Sequence, residues 1–213
     1  MTMQETKHMP VTSAGVIIFR EDIKEGTCIL LLKTYGKFDL PKGKVDLEDA
    51  THKNLVGTES QIKNAAIREA YEECGFTIID DVNAELPHDE LVARLVYSNE
   101  VPIVCGNFNE KNNNIKNKLS YDIVRNGISN ISDDSLSKLK KIVYLYVAET
   151  NCKTASIEKS PSGIYEHDGY IWEPTSTVLN SNLHSYLKAG IDKALQIYKT
   201  HTLIKETINK INI

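Results

Sequence analysis

Residues 62–76 read IKNAAIREAYEECGF, and their spacing predicts one amphipathic helix. Ile67, Ala70, Tyr71 and Cys74 fall at i, i+3, i+4 and i+7, an apolar stripe expected to face a core. Glu69, Glu72 and Glu73 share another face at i, i+3 and i+4, so their carboxylates crowd into about one turn. Like charges so spaced repel by roughly a few tenths of a kcal/mol per pair in an isolated helix. A divalent cation reverses that sign, and an oxygen-rich cluster suits a hard ion such as Mg²⁺ or Mn²⁺. The same glutamates also fit a plain solvated face. Gly75 supplies a residue able to turn left-handed and end the helix.

The company of this helix decides between those readings. Upstream, residues 40–45 read LPKGKV, a glycine loop in which Lys42 and Lys44 are candidate donors to phosphate oxygens. Residues 68–76 read REAYEECGF. Together the two pieces resemble the Nudix box of the Nudix hydrolases. That pattern is Gly, five residues, Glu, seven residues, then Arg-Glu-apolar-any-Glu-Glu-any-Gly-apolar. Every specified residue of its second half is present here in order. Gly43 and Arg68, however, stand 25 positions apart (68 − 43), against fourteen in the pattern. The surplus falls in residues 46–60, a polar stretch around Gly57 that reads as a loop insertion, cheap in closure entropy. Counted from Gly43 the pattern's first glutamate is Asp49; counted back from Arg68 it is Ser60, with Glu48 and Glu59 each one place off. Thr58, Glu59, Ser60 and Gln61 fit a capping box that restarts the helix.

The resemblance implies an α/β fold of Nudix type, a mixed β-sheet sandwiched between the catalytic helix and a C-terminal helix. It implies hydrolysis of a phosphoanhydride bond in a nucleoside diphosphate-linked substrate, with Mg²⁺ or Mn²⁺ as cofactor. Carried over residue by residue, Glu69 and Glu73 become the principal metal ligands. Glu72 shares a metal or acts as base, and a backbone carbonyl near Lys42–Gly43 completes a coordination shell. Arg68 orients a glutamate through a salt bridge. A further glutamate from a distant loop is expected at Glu166, with Glu100, Glu149 and Glu173 as alternatives. Residues 166–172, EHDGYIW, resemble the Glu-His-x-x-x-x-Trp segment of the dinucleoside tetraphosphate hydrolases of that family. Tyr170 is a candidate to stack on a base, though a strand tyrosine also fits core or rim; Trp172 reads as core and His167 as a loop histidine.

Within the family the same pieces favour a phosphorylated small-molecule substrate, a dinucleoside polyphosphate or a diphosphoinositol polyphosphate. Decapping of mRNA ranks second, with capped RNA as partner. There Lys111, Lys116, Lys118, Arg125, Lys138, Lys140 and Lys141 would line an RNA groove diluted by Asp122, Asp133 and Asp134. A ligand-binding module that keeps the fold without turnover is the reading from another class.

Composition sets the frame. The chain has 213 residues, 41% hydrophobic and 25% charged, with a net charge of −4, so no global basic field draws in nucleic acid. No apolar run approaches a membrane span, and residues 1–10 read as a frayed tail without a signal core. Cys28, Cys74, Cys105 and Cys152 show no paired metal spacing and fit a reducing, cytoplasmic compartment. Residues 11–199 read as one domain carrying insertions at about 46–60 and 100–140, with 200–213 as a helical extension. Strands are expected at 11–20, 28–34, 76–79, 91–98 and 142–148, and a helix at 182–199. Residues 106–114 read as a polar loop, residues 132–140 as a short helix, and the whole of 100–140 as a lid or partner surface. Oligomeric state has no signal in the sequence.

Overall fold

The computed structural model describes residues 11–46, 59–81, 83–126, 132–157 and 166–211. The tail at 1–10 and nearly all of the 46–60 insertion, including Thr58 of the expected capping box, lie outside the described residues.

Strand β1 (Val11–Asp22) is the centre of the sheet, and its composition explains why. A strand buried on both faces reads as a continuous apolar run rather than an alternation. In β1 that run is Val16, Ile17, Ile18 and Phe19, all fully buried. One edge of β1 pairs antiparallel with β2 (Gly26–Thr34) and β4 (Lys42–Lys44). Its other edge pairs in parallel with β8 (Leu139–Glu149) from Val11↔Lys141 to Phe19↔Glu149. Strand β2 also carries β3 (Lys37–Asp39) and β9 (Gly169–Pro174). Beyond β8 lie β6 (Val92–Leu95) and β5 (Thr77–Ile79).

Alternation along these strands divides the core. Val16, Ile18, Leu30, Leu32, Tyr146 and Ala148 pack toward helix α1 (Glu59–Cys74). Ile17, Phe19, Ile29, Leu31, Leu145 and Val147 pack toward helix α4 (Ser185–Ile211). The result is a mixed sheet between two helices, the α/β/α sandwich the motif implied. The expected inward stripe of the C-terminal helix, Leu183 to Tyr198, is buried, and the helix itself continues to Ile211. No helix among the described residues is long and apolar enough to cross a membrane.

Three local expectations need correction. The buried face of α1 is Ile62, Ala65, Ala66, Ala70 and Cys74, whereas Tyr71 is 62% exposed and Ile67 only partly buried. Alanines are the commonest residues of that buried face. The loop expected at 106–114 is overtaken at its start by strand β7 (Ile103–Phe108), paired antiparallel with β8. Helix α2 (Asn113–Asn126) then packs on β7 and α4, burying Ile123 beside Phe108 and Leu139. The described part of the 100–140 insertion is therefore built into the sheet, with a short helix α3 (Asp133–Ser137) leading back to β8.

The far end of α4 is fastened by charge. Glu149, 7% exposed at the end of β8, receives Lys205 at 3.0 Å and His201 at 3.5 Å from α4, and also Arg94 of β6. Burial alone would raise the Glu149 carboxyl, but His201, Arg94 and Lys205 gathered around it outweigh that and hold it at about 2. A carboxyl lowered on folding contributes stability above its unfolded value of 4.5, lost as pH falls from there through about 2. That contribution is on the order of 3 kcal/mol. Urea unfolding of the wild type should therefore show stability falling steeply across that acid window. In Glu149→Gln the slope should flatten and the neutral-pH stability drop; equal slopes would refute the assignment.

Candidate active site

The site forms where β4 meets α1, and backbone geometry does most of the positioning. Strand β4 is held to β1 at Ser13↔Lys44, Ala14↔Gly43 and Gly15↔Lys42. Helix α1 is stopped by Gly75, whose φ of +77° and N–H bond to Tyr71 O at 2.9 Å make a left-handed cap. Between these fixed points the glutamates meet the glycine loop.

Glu73 Oε2 accepts a 2.8 Å hydrogen bond from the Lys42 backbone N–H. Its other oxygen, Oε1, stands 3.2 Å from His167 Nε2. Glu69 is buried against Gly43 so closely that a Cβ there would overlap its carboxylate. That contact explains the glycine: no other residue leaves room for the acid. Arg68 donates through Nη1 to Glu69 Oε1 and to Glu72 Oε2, both at 2.8 Å, and through Nη2 to Lys44 O at 3.0 Å. Burial pushes the Glu69 carboxyl up to about 7; Arg68 pulls it down and the neighbouring Glu73 adds to the rise. Glu72, with 41% of its side chain exposed, is the outermost acid of the ridge.

The structure places the remaining candidates unevenly. Lys42 is buried and its Nζ is 2.7 Å from Asp39, so the lysine expected to hold phosphate is instead an internal ion pair. The register places Lys42 opposite Gly15 of β1, where the missing side chain leaves room for the lysine stem to lie against the sheet. Lys44, 72% exposed, points to solvent near Asp46 at 3.7 Å. Tyr170 sits on β9 opposite Leu32, half-buried against the α1 side of the core. Trp172 meets Phe76 edge-on and donates from Nε1 to Lys153 O at 2.9 Å. Glu166 is exposed, and among the described residues no hydrogen bond or ion pair ties it to α1. Of the alternatives, Glu149 belongs to the α4 clamp, Glu100 pairs with Lys193, and Glu173 receives the Thr177 hydroxyl.

One residue reaches the site without having been singled out. His167, read as a loop histidine, is buried between Thr34 and Glu73. The loop that carries it is fixed on the sheet by Gly169, which starts β9 and pairs with Lys33, a contact that sequence spacing does not announce. Lys141, assigned to an RNA patch, is half-buried, and burial first and then the Lys42 charge lower its pKa. The charges of Glu69 and Glu73 act on it in the opposite sense.

The residues present fit a divalent cation on two counts. Glu69 carries a burial penalty that a cation would relieve, and His167 Nε2 is a buried polar atom without a hydrogen-bond partner, aimed at Glu73. Among the described residues no three His, Cys, Asp or Glu side chains converge into a finished metal cage.

No family model matches the sequence, and no curated protein matches it. Solved structures do. The chain is similar to an Ap4A hydrolase of C. elegans in a binary complex, at 17% identity over 89% of this chain and 98% of that one, with a TM-score of 0.51. It is also similar to the NUDIX domain of Shewanella oneidensis NrtR complexed with ADP ribose, at 13% identity over 88% of this chain and 90% of that one, TM-score 0.48. A third is the E. coli dihydroneopterin triphosphate pyrophosphohydrolase, at 14% identity over 87% and 97%, TM-score 0.47. The assignment rests on the first of these together with the architecture above: the chain has the Nudix fold.

Proposed function

We propose that the protein is a divalent-metal-dependent pyrophosphohydrolase that cleaves a phosphoanhydride bond in a nucleoside diphosphate-linked substrate. One observation carries the reading: Glu73 and Glu69 are both held against residues 42–43, the first by the Lys42 N–H and the second by contact with Gly43. Mg²⁺ or Mn²⁺ bound there would neutralise a pyrophosphate and acidify a bound water. The protein's own groups then have separate tasks. Arg68 fixes the spacing of Glu69 and Glu72 through one guanidinium nitrogen. Glu72, exposed at the rim, takes the proton from the attacking water. Lys44 offers an exposed ammonium to phosphate oxygens. Glu166 and Tyr170 remain substrate-side candidates on and before β9, the first as an additional base or ligand and the second as a base-stacking surface.

The substrate class we favour is a dinucleoside polyphosphate, which the likeness to the C. elegans Ap4A hydrolase supports. Diphosphoinositol polyphosphates follow. The decapping reading loses ground on the insertion's own geometry: Lys118 pairs with Asp122, Lys138 pairs with Asp134, and Lys141 is half-buried.

Phosphate release measured with diadenosine tetraphosphate, a diphosphoinositol and capped RNA, each under Mg²⁺ or Mn²⁺, should show turnover of the first above the others. Glu73→Gln should lower kcat by at least ~10²-fold with the melting temperature little changed, because a ligand is neutralised without a change of shape. Activity within twofold of wild type would sink the reading. In Gly43→Ala the added methyl displaces the Glu69 carboxylate, and a loss of roughly 10-fold or more in turnover is expected. Unchanged kinetics there would show that Glu69 need not sit on the loop.

A further inference from the structure

We infer that His167 is a metal ligand, so that the ion on α1 is held by an imidazole nitrogen as well as by carboxylate oxygens. The inference deepens the metal-dependent reading above and rests on it.

The side chain of His167 is 8% exposed, and its Nε2 has no hydrogen-bond partner although Glu73 Oε1 lies 3.2 Å away. A buried polar nitrogen left unbonded is costly unless something else satisfies it. The separation is informative. Two donors that grip one ion at about 2.0–2.2 Å, with about 90–110° between them, stand about 3.0–3.4 Å apart. Glu73 Oε1 is also the right oxygen to share an ion, since Oε2 is already occupied by the Lys42 N–H.

The other ring nitrogen completes the case. A ligating histidine normally gives its second N–H to an oxygen acceptor, which fixes tautomer and ring plane. Here Nδ1 lies 2.7 Å from Thr34 Oγ1. With Nδ1–H donating to Thr34, the Nε2 lone pair faces the Glu73 carboxylate. The backbone around the ring is pinned as well, because Asp168 N–H donates to Lys33 O at 2.9 Å, and Gly169 pairs with Lys33. Thr34 and Lys33 are neighbours on β2, so one strand orients both ring and loop.

A nitrogen donor changes which ion the site prefers. Mg²⁺ takes oxygen ligands almost exclusively, whereas imidazole suits first-row transition ions. The site is therefore tuned to Mn²⁺ or Co²⁺ over Mg²⁺, and Thr34 is a positioning residue for that choice.

The test is metal binding by the full chain, read without turnover. Pulsed EPR of the Mn²⁺-loaded wild type should show ¹⁴N coupling from a directly bound imidazole. Calorimetry should show Mn²⁺ affinity falling at least ~10-fold in His167→Gln, with Mg²⁺ affinity nearly unchanged. Thr34→Val should weaken Mn²⁺ by ~10-fold while the ¹⁴N signal persists, the usual size of effect for such a partner. Absence of ¹⁴N coupling in the wild type, or a Mn²⁺-to-Mg²⁺ affinity ratio in His167→Gln that stays within twofold of the wild-type ratio, would overturn the inference while leaving the metal-dependent reading intact. Failure of the wild type to bind either ion would overturn both. The wild-type EPR measurement stands even where a variant fails to fold.

Discussion

The hydrogen bond from the Lys42 backbone to the Glu73 carboxylate is the clasp on which the site depends. It joins two segments separated by an insertion, and it does so with a backbone group whose position is set by the sheet. Strand β4 lies where it does because β1 accepts it on one edge while β8 holds the other. A carboxylate carried on a helix alone would sample several rotamers. Tied to a ladder residue, it acquires the rigidity of the sheet. Gly43 extends the same logic to Glu69, which rests directly on the strand.

Burial then differentiates three chemically identical acids. Glu69 is the one whose carboxyl is pushed up to about 7, against the pull of Arg68. Glu73 is enclosed by the strand and by His167, while Glu72 stands at the solvent edge. Different surroundings for neighbouring carboxyls are a common way to divide binding from proton transfer within one site. Arg68 keeps the group together by contacting Glu69, Glu72 and the Lys44 carbonyl at once. An isolated surface ion pair contributes little, but a guanidinium shared among fixed acceptors loses less entropy per bond.

Most of the main strands and both the catalytic and the C-terminal helix were legible in the sequence, since each rests on local pattern, whereas the sandwich followed from the resemblance carried by the motif. Buried runs such as Val16–Phe19 and the stripe of α4 announce themselves by composition and period. The helix glutamates and the glycine loop were legible as a motif. What escaped was set by tertiary contact. Tyr71 fits the period of an inward stripe, yet Ile62 and the alanines at 65 and 66 hold the buried face. Lys42 reads as a phosphate lysine until its strand is paired and its ammonium meets Asp39. His167 gives no signal of its own, because its role depends on Thr34, distant in sequence. Strand β7 was hidden by the asparagine-rich stretch that follows it; its Gly106 and Asn107 disfavour a strand, and pairing with β8 overrides them.

That overlooked strand has a consequence for how the molecule keeps to itself. Beyond the short β6, the outer edge of β8 carries Val143 and Leu145 and would lie open without β7. An uncovered apolar strand edge invites pairing with other chains. The segment that interrupts the sheet order thus serves as its own guard rail, and trimming it to a shorter connection would exchange a longer loop for a sticky, self-associating border.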